Sequence, residues 1–188
     1  MERNPWVTHN SEIVYDNAWI TVEHDTVTTP GGSDGIYGVV RFKNRAVAVV
    51  PIDDDGNTWL VGQYRYALGT YSWEVPAGGC PVDESIEDTA RRELVEETGI
   101  VAKNLSPIFA NVHLSNSVTD EAAFAFVATD LTVSTATPED TEDLALQRLP
   151  LDDAIEMVLK GTITDAFSVM ALLRIHADRV EKNAALAN

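Results

Sequence analysis

"GGCPVDESIEDTARRELVEETGI", residues 78–100, places a dense run of charged residues inside a helix-forming pattern. From about Glu84 to Thr98 the pattern is helical, with Asp83 and Glu84 suited to a helix N-terminus and Gly99 placed where a left-handed C-cap residue belongs. At about 100° per residue, Ile86, Ala90, Glu93 and Glu97 fall on one stripe, with Leu94 along one edge and Glu96 along the other. The apolar members mark the side that packs on a sheet. Glu93 and Glu97 therefore sit on or beside a buried face, where an uncompensated charge costs several kcal/mol.

Arg92 lies four residues before Glu96 and can pair with it. Such a pair contributes only about 0.3–0.5 kcal/mol and leaves Glu93 and Glu97 to be answered otherwise. A divalent cation answers them better. Clustered hard oxygen donors without Cys or His suit Mg²⁺ or Mn²⁺, which share their coordination among a few carboxylates, waters and substrate phosphates.

Working outward, "EIVY", "AWITVEHDTVTT" and "GIYGVVRF" between residues 12 and 42 read as strands separated by turn signals, an N-terminal antiparallel β extension over residues 1–43. "RAVAVVPI", "NTWLVGQYR" and "YSWEVPAG" follow as strands, the first two joined as a hairpin by the Asp-Gly of "DDDGN". A calcium loop starting at Asp53 would need Gly sixth and Glu twelfth, where Thr58 and Tyr64 stand, so the turn reading wins. After the helix come strands in "LSPIFANVHL", "AAFAFVATDLTV" and "LALQRLPL", then helices in "DDAIEMVLKGTI" and "DAFSVMALLRIHADRVEKNA". The expected class is α/β, a mixed sheet sandwiched by helices over residues 44–188 rather than a strict βαβ alternation.

The constrained positions of the opening stretch are Gly78, Glu84, Arg92, Glu93, Leu94, Glu96, Glu97, Gly99 and Ile100. This spacing resembles the Nudix box at each defining position. The resemblance implies a Nudix hydrolase, an α/β/α sandwich that uses Mg²⁺ or Mn²⁺ to hydrolyse a nucleoside diphosphate linked to another moiety. It makes Glu93 and Glu97 the principal metal ligands, with Glu96 contributing and Arg92 and Glu84 orienting them. Gly78 lets the backbone, including the Ala77 carbonyl, come close to the metal.

"GQYRYALGTYSWEVPAGG", residues 62–79, resembles the subfamily that cleaves ADP-ribose and related nucleoside diphosphate sugars. Arg65 is then the candidate for gripping a phosphate, and Glu74 is either a substrate contact or a structural pairing partner. In "TPEDTEDLALQRLPLDDAIEMVLKGTITDAFSVMALL" the same subfamily places a catalytic base on the acidic loop. Glu142 is chosen here, with Glu139 and Asp143 as competitors; a base free of metal is the better proton acceptor. Tyr15 and Trp19 are candidates for stacking on a purine, in a region that often spans a homodimer interface in the subfamily. One departure stands out: "HLSNSVTDE" at 113–121 lacks the Ser-Pro-Gly-like turn of many ADP-ribose enzymes, although Glu121 remains as a substrate or metal contact.

The reading implied is hydrolysis of ADP-ribose to AMP and ribose 5-phosphate. GDP-mannose, another sugar nucleotide, NADH and dinucleoside polyphosphates are alternative substrates, and a non-catalytic nucleotide-binding module is the alternative outside enzymes. Composition agrees: 188 residues suffice for one core. A formal charge of -17 without a compensating basic cluster argues against nucleic acid or an anionic membrane as partner. Cys80 alone cannot form an internal disulfide, the longest apolar run, "AVAVVPI", is too short to span a bilayer, and the expected place is the cytoplasm.

Overall fold

The computed structural model describes residues 3–136 and 143–186. Three strands come first, β1 (Val7–Asp16), β2 (Ile20–Thr28) and β3 (Asp34–Phe42), and they form one antiparallel sheet in the order β1-β2-β3. A four-stranded sheet then gathers β4 (Arg45–Pro51), β7 (Ala77–Cys80), β8 (Ile100–His113) and β9 (Ala122–Val133) in the order β7-β4-β9-β8. Its central pair, β4 and β9, is parallel while the outer pairs are antiparallel. A parallel pair needs a crossover between its strands, and the helix α1 (Ile86–Thr98) lies within that connection. The third sheet, β10-β5-β6, is antiparallel and built from β5 (Asn57–Arg65), β6 (Thr70–Glu74) and β10 (Ala145–Pro150).

Alternation along β4 makes the sandwich. Val47 and Val49 point to one face, where they pack with Cys80, Ala90 and Leu94 under α1. Ala48 and Val50 point to the other, against Phe167, Ala171 and Leu172 of α3 (Ala166–Leu186) and Ile155 of α2 (Leu151–Leu159). Along β9, Phe126 and Ala128 join the first cluster while Ala123 and Ala125 join the second. Period-two side chains on both faces of a buried strand pair thus place helices on both sides, giving an α/β/α sandwich. Among the described residues no helix is long and apolar enough to cross a membrane.

Local details differ from the sequence reading in three places. The "DDDGN" turn does form, with Asp53 Oδ1 accepting the N–H groups of Asp55 at 3.0 Å and Asn57 at 2.8 Å. Beyond a single bridge, Ile52 to Thr58, its flanking strands part into different sheets, because β4 is claimed by β7 and β9 and β5 by β6 and β10. "YSWEVPAG" is two strands rather than one: the chain leaves β6 at Glu74, passes Pro76, which has no N–H to give a ladder, and enters β7 in the other sheet. The Pro76 carbonyl is not wasted and accepts the Val49 N–H at 2.8 Å. Finally, β8 begins at Ile100, immediately after the helix cap, five residues before the start expected at Leu105.

Candidate active site

The helix α1 starts and stops for identifiable reasons. Ser85 is its N-cap: the Oγ accepts the Asp88 N–H at 3.0 Å and its hydroxyl donates to Asp88 Oδ2 at 2.7 Å. Replacing such a cap by Ala costs about 1 kcal/mol. Gly99 closes the helix at φ 68°, in the left-handed region that strains any residue with a Cβ. Leu94 and Ala90 are fully buried beneath the sheet and anchor the inward face. Glu93 at 8% and Glu97 at 3% exposure are buried along with them.

How the buried carboxylates are held is the centre of the geometry. Arg92 bonds four groups. Its Nε and Nη2 clamp Glu84 at 3.1 and 3.0 Å, its Nη1 reaches Glu93 at 2.7 Å and Glu96 at 2.8 Å, and its Nη2 also donates to the Gly79 carbonyl at 3.1 Å. One guanidinium thus serves Glu84, Glu93 and Glu96 together, more than the single Arg92–Glu96 pair that helix spacing offers. The hydrogen bonds from Arg92 hold the Glu84 carboxyl below its ordinary range, and in return Glu84 holds the Arg92 guanidinium more firmly protonated than usual. Glu97 Oε2 accepts the Ala77 N–H at 2.9 Å, which ties the helix to the first residue of β7. Next to it, a Cβ on Gly78 would fall onto the Glu93 carboxyl group, so bare backbone is required at that point.

These donors suit a hard divalent cation by chemistry: three carboxylates on one helix, with the peptide groups of Ala77 and Gly78 packed against two of them. Among the described residues, no three Asp, Glu, His or Cys side chains converge as a ready cage. Glu93 and Glu96 are instead both turned to Arg92.

Beside this helix lies a cavity of about 280 Å³ whose lining includes Trp19, Phe42, Arg65, Ala77, Gly78 and Glu121. A second, of about 350 Å³, shares Trp19, Asn44 and Gly79 with it and reaches Glu84, Arg92 and Glu93. The two adjoin at these shared residues, one beside the box carboxylates and both beside Trp19 of the N-terminal extension. Trp19 is presented there by Asn17, whose Oδ1 accepts the N–H groups of Trp19 and Ile20, both at 2.8 Å, and by the Lys43 N–H, which bonds the Trp19 carbonyl at 2.9 Å. Tyr15, the other aromatic candidate, is exposed and lines neither cavity.

Arg65 is in the cavity wall, but its guanidinium is engaged: Nε bonds Glu74 Oε1 at 2.9 Å and Nη2 bonds Oε2. Glu74 itself is buried, 5% exposed, and meets the cavity through Arg65. Burial pushes the Glu74 carboxyl up, and the two-pronged bond from Arg65 outweighs it and leaves the group below its ordinary value. Glu121 shows the opposite balance. Burial raises its carboxyl, and nearby Asp165 raises it further.

Asp165 is a residue that the sequence reading missed. Its Oδ2 accepts the Ser168 N–H at 2.8 Å and the Ser168 hydroxyl at 2.7 Å, while the fully buried Ser168 Oγ accepts the Val75 N–H at 2.9 Å. This chain of bonds fastens the start of α3 to the strand that leads into Ala77. The signal was present as Asp three residues before Ser at the start of an apolar helix, an N-cap pattern. Of the acidic-loop candidates, Glu139 and Glu142 lie outside the described residues, and Asp143 is exposed.

The fold, the box helix and the adjoining cavity define one class of protein, and the chain belongs to the Nudix hydrolase family: the NUDIX domain model matches residues 42–172. Residues 6–40 match a second model, described as the nucleoside diphosphate sugar hydrolase N-terminal domain. The chain is similar to the ADP-ribose pyrophosphatase of Mycobacterium tuberculosis, 32% identical over 181 residues that span 94% of this chain and 86% of the relative. It is also 32% identical to the ADP-ribose pyrophosphatase of Bacillus subtilis, over 86% of this chain and 87% of that one. A crystal structure of an ADP compounds hydrolase superposes with a TM-score of 0.85 at 23% identity, covering 97% of this chain and 98% of the other, which shows the same fold.

Proposed function

We propose that this enzyme hydrolyses the diphosphate of ADP-ribose, giving AMP and ribose 5-phosphate. The observation that carries the reading is the pair of adjoining cavities that brings the carboxylates around Arg92 together with Arg65, Glu121 and Trp19, partners for the diphosphate, hydroxyl and aromatic parts of such a substrate. The names of the two relatives support the adenosine and ribose ends. In this reading residues 1–43 are a substrate and dimerisation extension and residues 44–188 the hydrolase domain, the active unit being a homodimer. The exposed apolar side chains Ile13, Val14 and Tyr15 on β1 support that pairing. A reducing cytoplasmic setting suits the single free cysteine, Cys80.

Glu93, Glu96, Glu97 and the Ala77 carbonyl would hold Mg²⁺ or Mn²⁺, which supplies charge neutralisation at the diphosphate oxygens and lowers the pKa of the attacking water. The protein's own residues do the rest. Arg92 keeps Glu93 and Glu96 aimed. Arg65, with its planar fork fixed by Glu74, presents its remaining N–H groups to a phosphate oxygen. Trp19 offers a face for the adenine ring. Glu142 accepts the proton from water as it attacks phosphorus, and the P–O bond to the bridging oxygen breaks, leaving two monophosphates. Glu121 meets the terminal ribose.

The test is a substrate panel of ADP-ribose, GDP-mannose, UDP-glucose, NADH and diadenosine polyphosphates with Mg²⁺ and then Mn²⁺. ADP-ribose should give the highest kcat/KM. A tenfold preference for GDP-mannose would move the specificity to the alternative sugar nucleotide. Glu142→Gln should lower turnover by about 10²-fold or more with KM little changed; near-normal turnover would move the base to another residue.

A further inference from the structure

The segment that departs from the subfamily pattern, "HLSNSVTDE", is held in an unusual way. Ser115 begins a turn, its carbonyl accepting the N–H groups of Val118 at 3.1 Å and Thr119 at 2.9 Å. The next residues then lie along the outer edge of β3. The Val40 N–H donates to the Val118 carbonyl at 2.8 Å, Val40 and Thr119 form a parallel bridge, and the Tyr37 hydroxyl donates to the Ser117 carbonyl. Asp120 completes the attachment: Oδ1 accepts the Phe42 N–H at 2.9 Å, and Oδ2 faces the Arg41 guanidinium at 3.5 Å, which Glu23 on β2 holds from its other side at 2.9 Å.

Both neighbours of this bond belong to the cavity. Phe42 and Glu121 line it, one the residue whose N–H Asp120 holds, the other the residue that follows Asp120 in the chain. A Ser-Pro-Gly turn would limit the loop through its own backbone dihedrals. Here the restraint comes from outside the loop, through the edge of the N-terminal sheet.

We propose that Asp120 is a positioning residue: by accepting the Phe42 N–H it sets Glu121 and Phe42 in register across the cavity, and so makes the N-terminal sheet part of the substrate site. The inference rests on the ADP-ribose reading for its kinetic consequence, though not for its structural one. Asp120 touches no reacting atom, and its effect passes through Glu121. A displacement of this kind is transmitted to rate because small errors in the placement of a substrate-binding group are costly.

Three variants test it. Asp120→Ala should lower kcat/KM for ADP-ribose about tenfold, mainly through KM, whereas Asp120→Asn, which keeps a carbonyl for the Phe42 N–H, should stay within about threefold of wild type. In a Glu121→Gln background the Asp120→Ala change should matter less than about twofold, the signature of action through that side chain. A full tenfold loss persisting in that background, or no loss in Asp120→Ala itself, would overturn the proposal. Amide exchange of the Phe42 N–H serves as the readout independent of substrate. It should be at least tenfold faster in Asp120→Ala than in wild type or Asp120→Asn, and equal rates in all three refute the positioning role. Inertness of the wild type toward ADP-ribose would instead defeat the functional reading and leave the exchange result to decide this one. Asp120→Ser replaces Asp120→Ala if the latter does not fold.

Discussion

Two acidic groupings, one around Arg92 and one at Glu121 and Asp165, are built in opposite ways. Around Arg92, three carboxylates share one guanidinium, and Glu84, in that group, is held below its ordinary value by it. In the wall of the cavity next to it, Glu121 lies near Asp165, and the Glu121 carboxyl is raised by burial and by Asp165. The first cluster comes from one helix and the turn before it. The second comes from the loop before β9 and the start of α3, brought together only by the fold. A compensated cluster stabilises the fold and stands ready for a cation. A carboxyl raised by burial and by a like-charged neighbour, as Glu121 is, instead costs the fold stability, a state that is retained where function requires it.

The largest effect on turnover is expected at Glu97. Glu97→Gln retains an oxygen for the Ala77 N–H, so the fold should survive with its thermal midpoint within a few degrees. Turnover should nevertheless fall by about 10³-fold or more, because the charge that would meet the cation is gone. Steady-state kinetics at saturating Mg²⁺ beside a thermal melt measure both halves. A smaller loss is expected from Arg92→Gln, about 10–100-fold, since Arg92 orients ligands rather than serving as one; metal titration of that variant should show weaker binding.

At Glu74 the informative change is in its partner, Arg65→Lys. A lysine cannot reproduce the two-pronged bond to Glu74, so KM should rise roughly tenfold with a smaller change in kcat. The smallest effect, and the one with the opposite sign on stability, is at Glu121. Its folded-state carboxyl titrates above the ordinary 4.5, so the folded state holds its proton longer, and stability is lost as pH rises from there through the raised value. Glu121→Gln should therefore raise the melting temperature by roughly 1–3 °C at pH 7–8, with the gain vanishing near pH 4, while kcat/KM falls. For Glu84 the sign reverses: its stabilising pair with Arg92 is fully present above 4.5 and is lost as pH falls through the depressed folded value. An acid melt of Glu84→Gln should accordingly converge on wild type only at low pH.

The same contrast explains what was legible beforehand. The box helix, its cap and its terminating glycine are local, and a fixed spacing of residues over one helix carries them, so Glu93, Glu96, Glu97, Arg92 and Gly78 could be singled out from sequence alone. Strand pairing is not local. Asp-Gly marks a turn correctly, but whether the flanking strands stay paired depends on what else competes for their edges, and β9 and β10 won that competition from 77 to 93 residues away. Asp165 and Ser168 escaped notice because their bond to Val75 spans 93 residues. Asp120 sat in a stretch recognisable only as a departure from a pattern, and the edge of β3 that supports it lies nearly eighty residues upstream.

The central claim is that the carboxylates gathered by Arg92 serve a metal-dependent attack on a diphosphate. Phosphorus NMR of ADP-ribose incubated with the enzyme and Mg²⁺ tests it most directly. The paired diphosphate resonances should give way to two monophosphate resonances, from AMP and ribose 5-phosphate in equal amounts, and chelation or Glu97→Gln should stop the change. Persistence of the diphosphate signals with folded wild type in Mg²⁺ and in Mn²⁺, or equal conversion by Glu97→Gln, would contradict it.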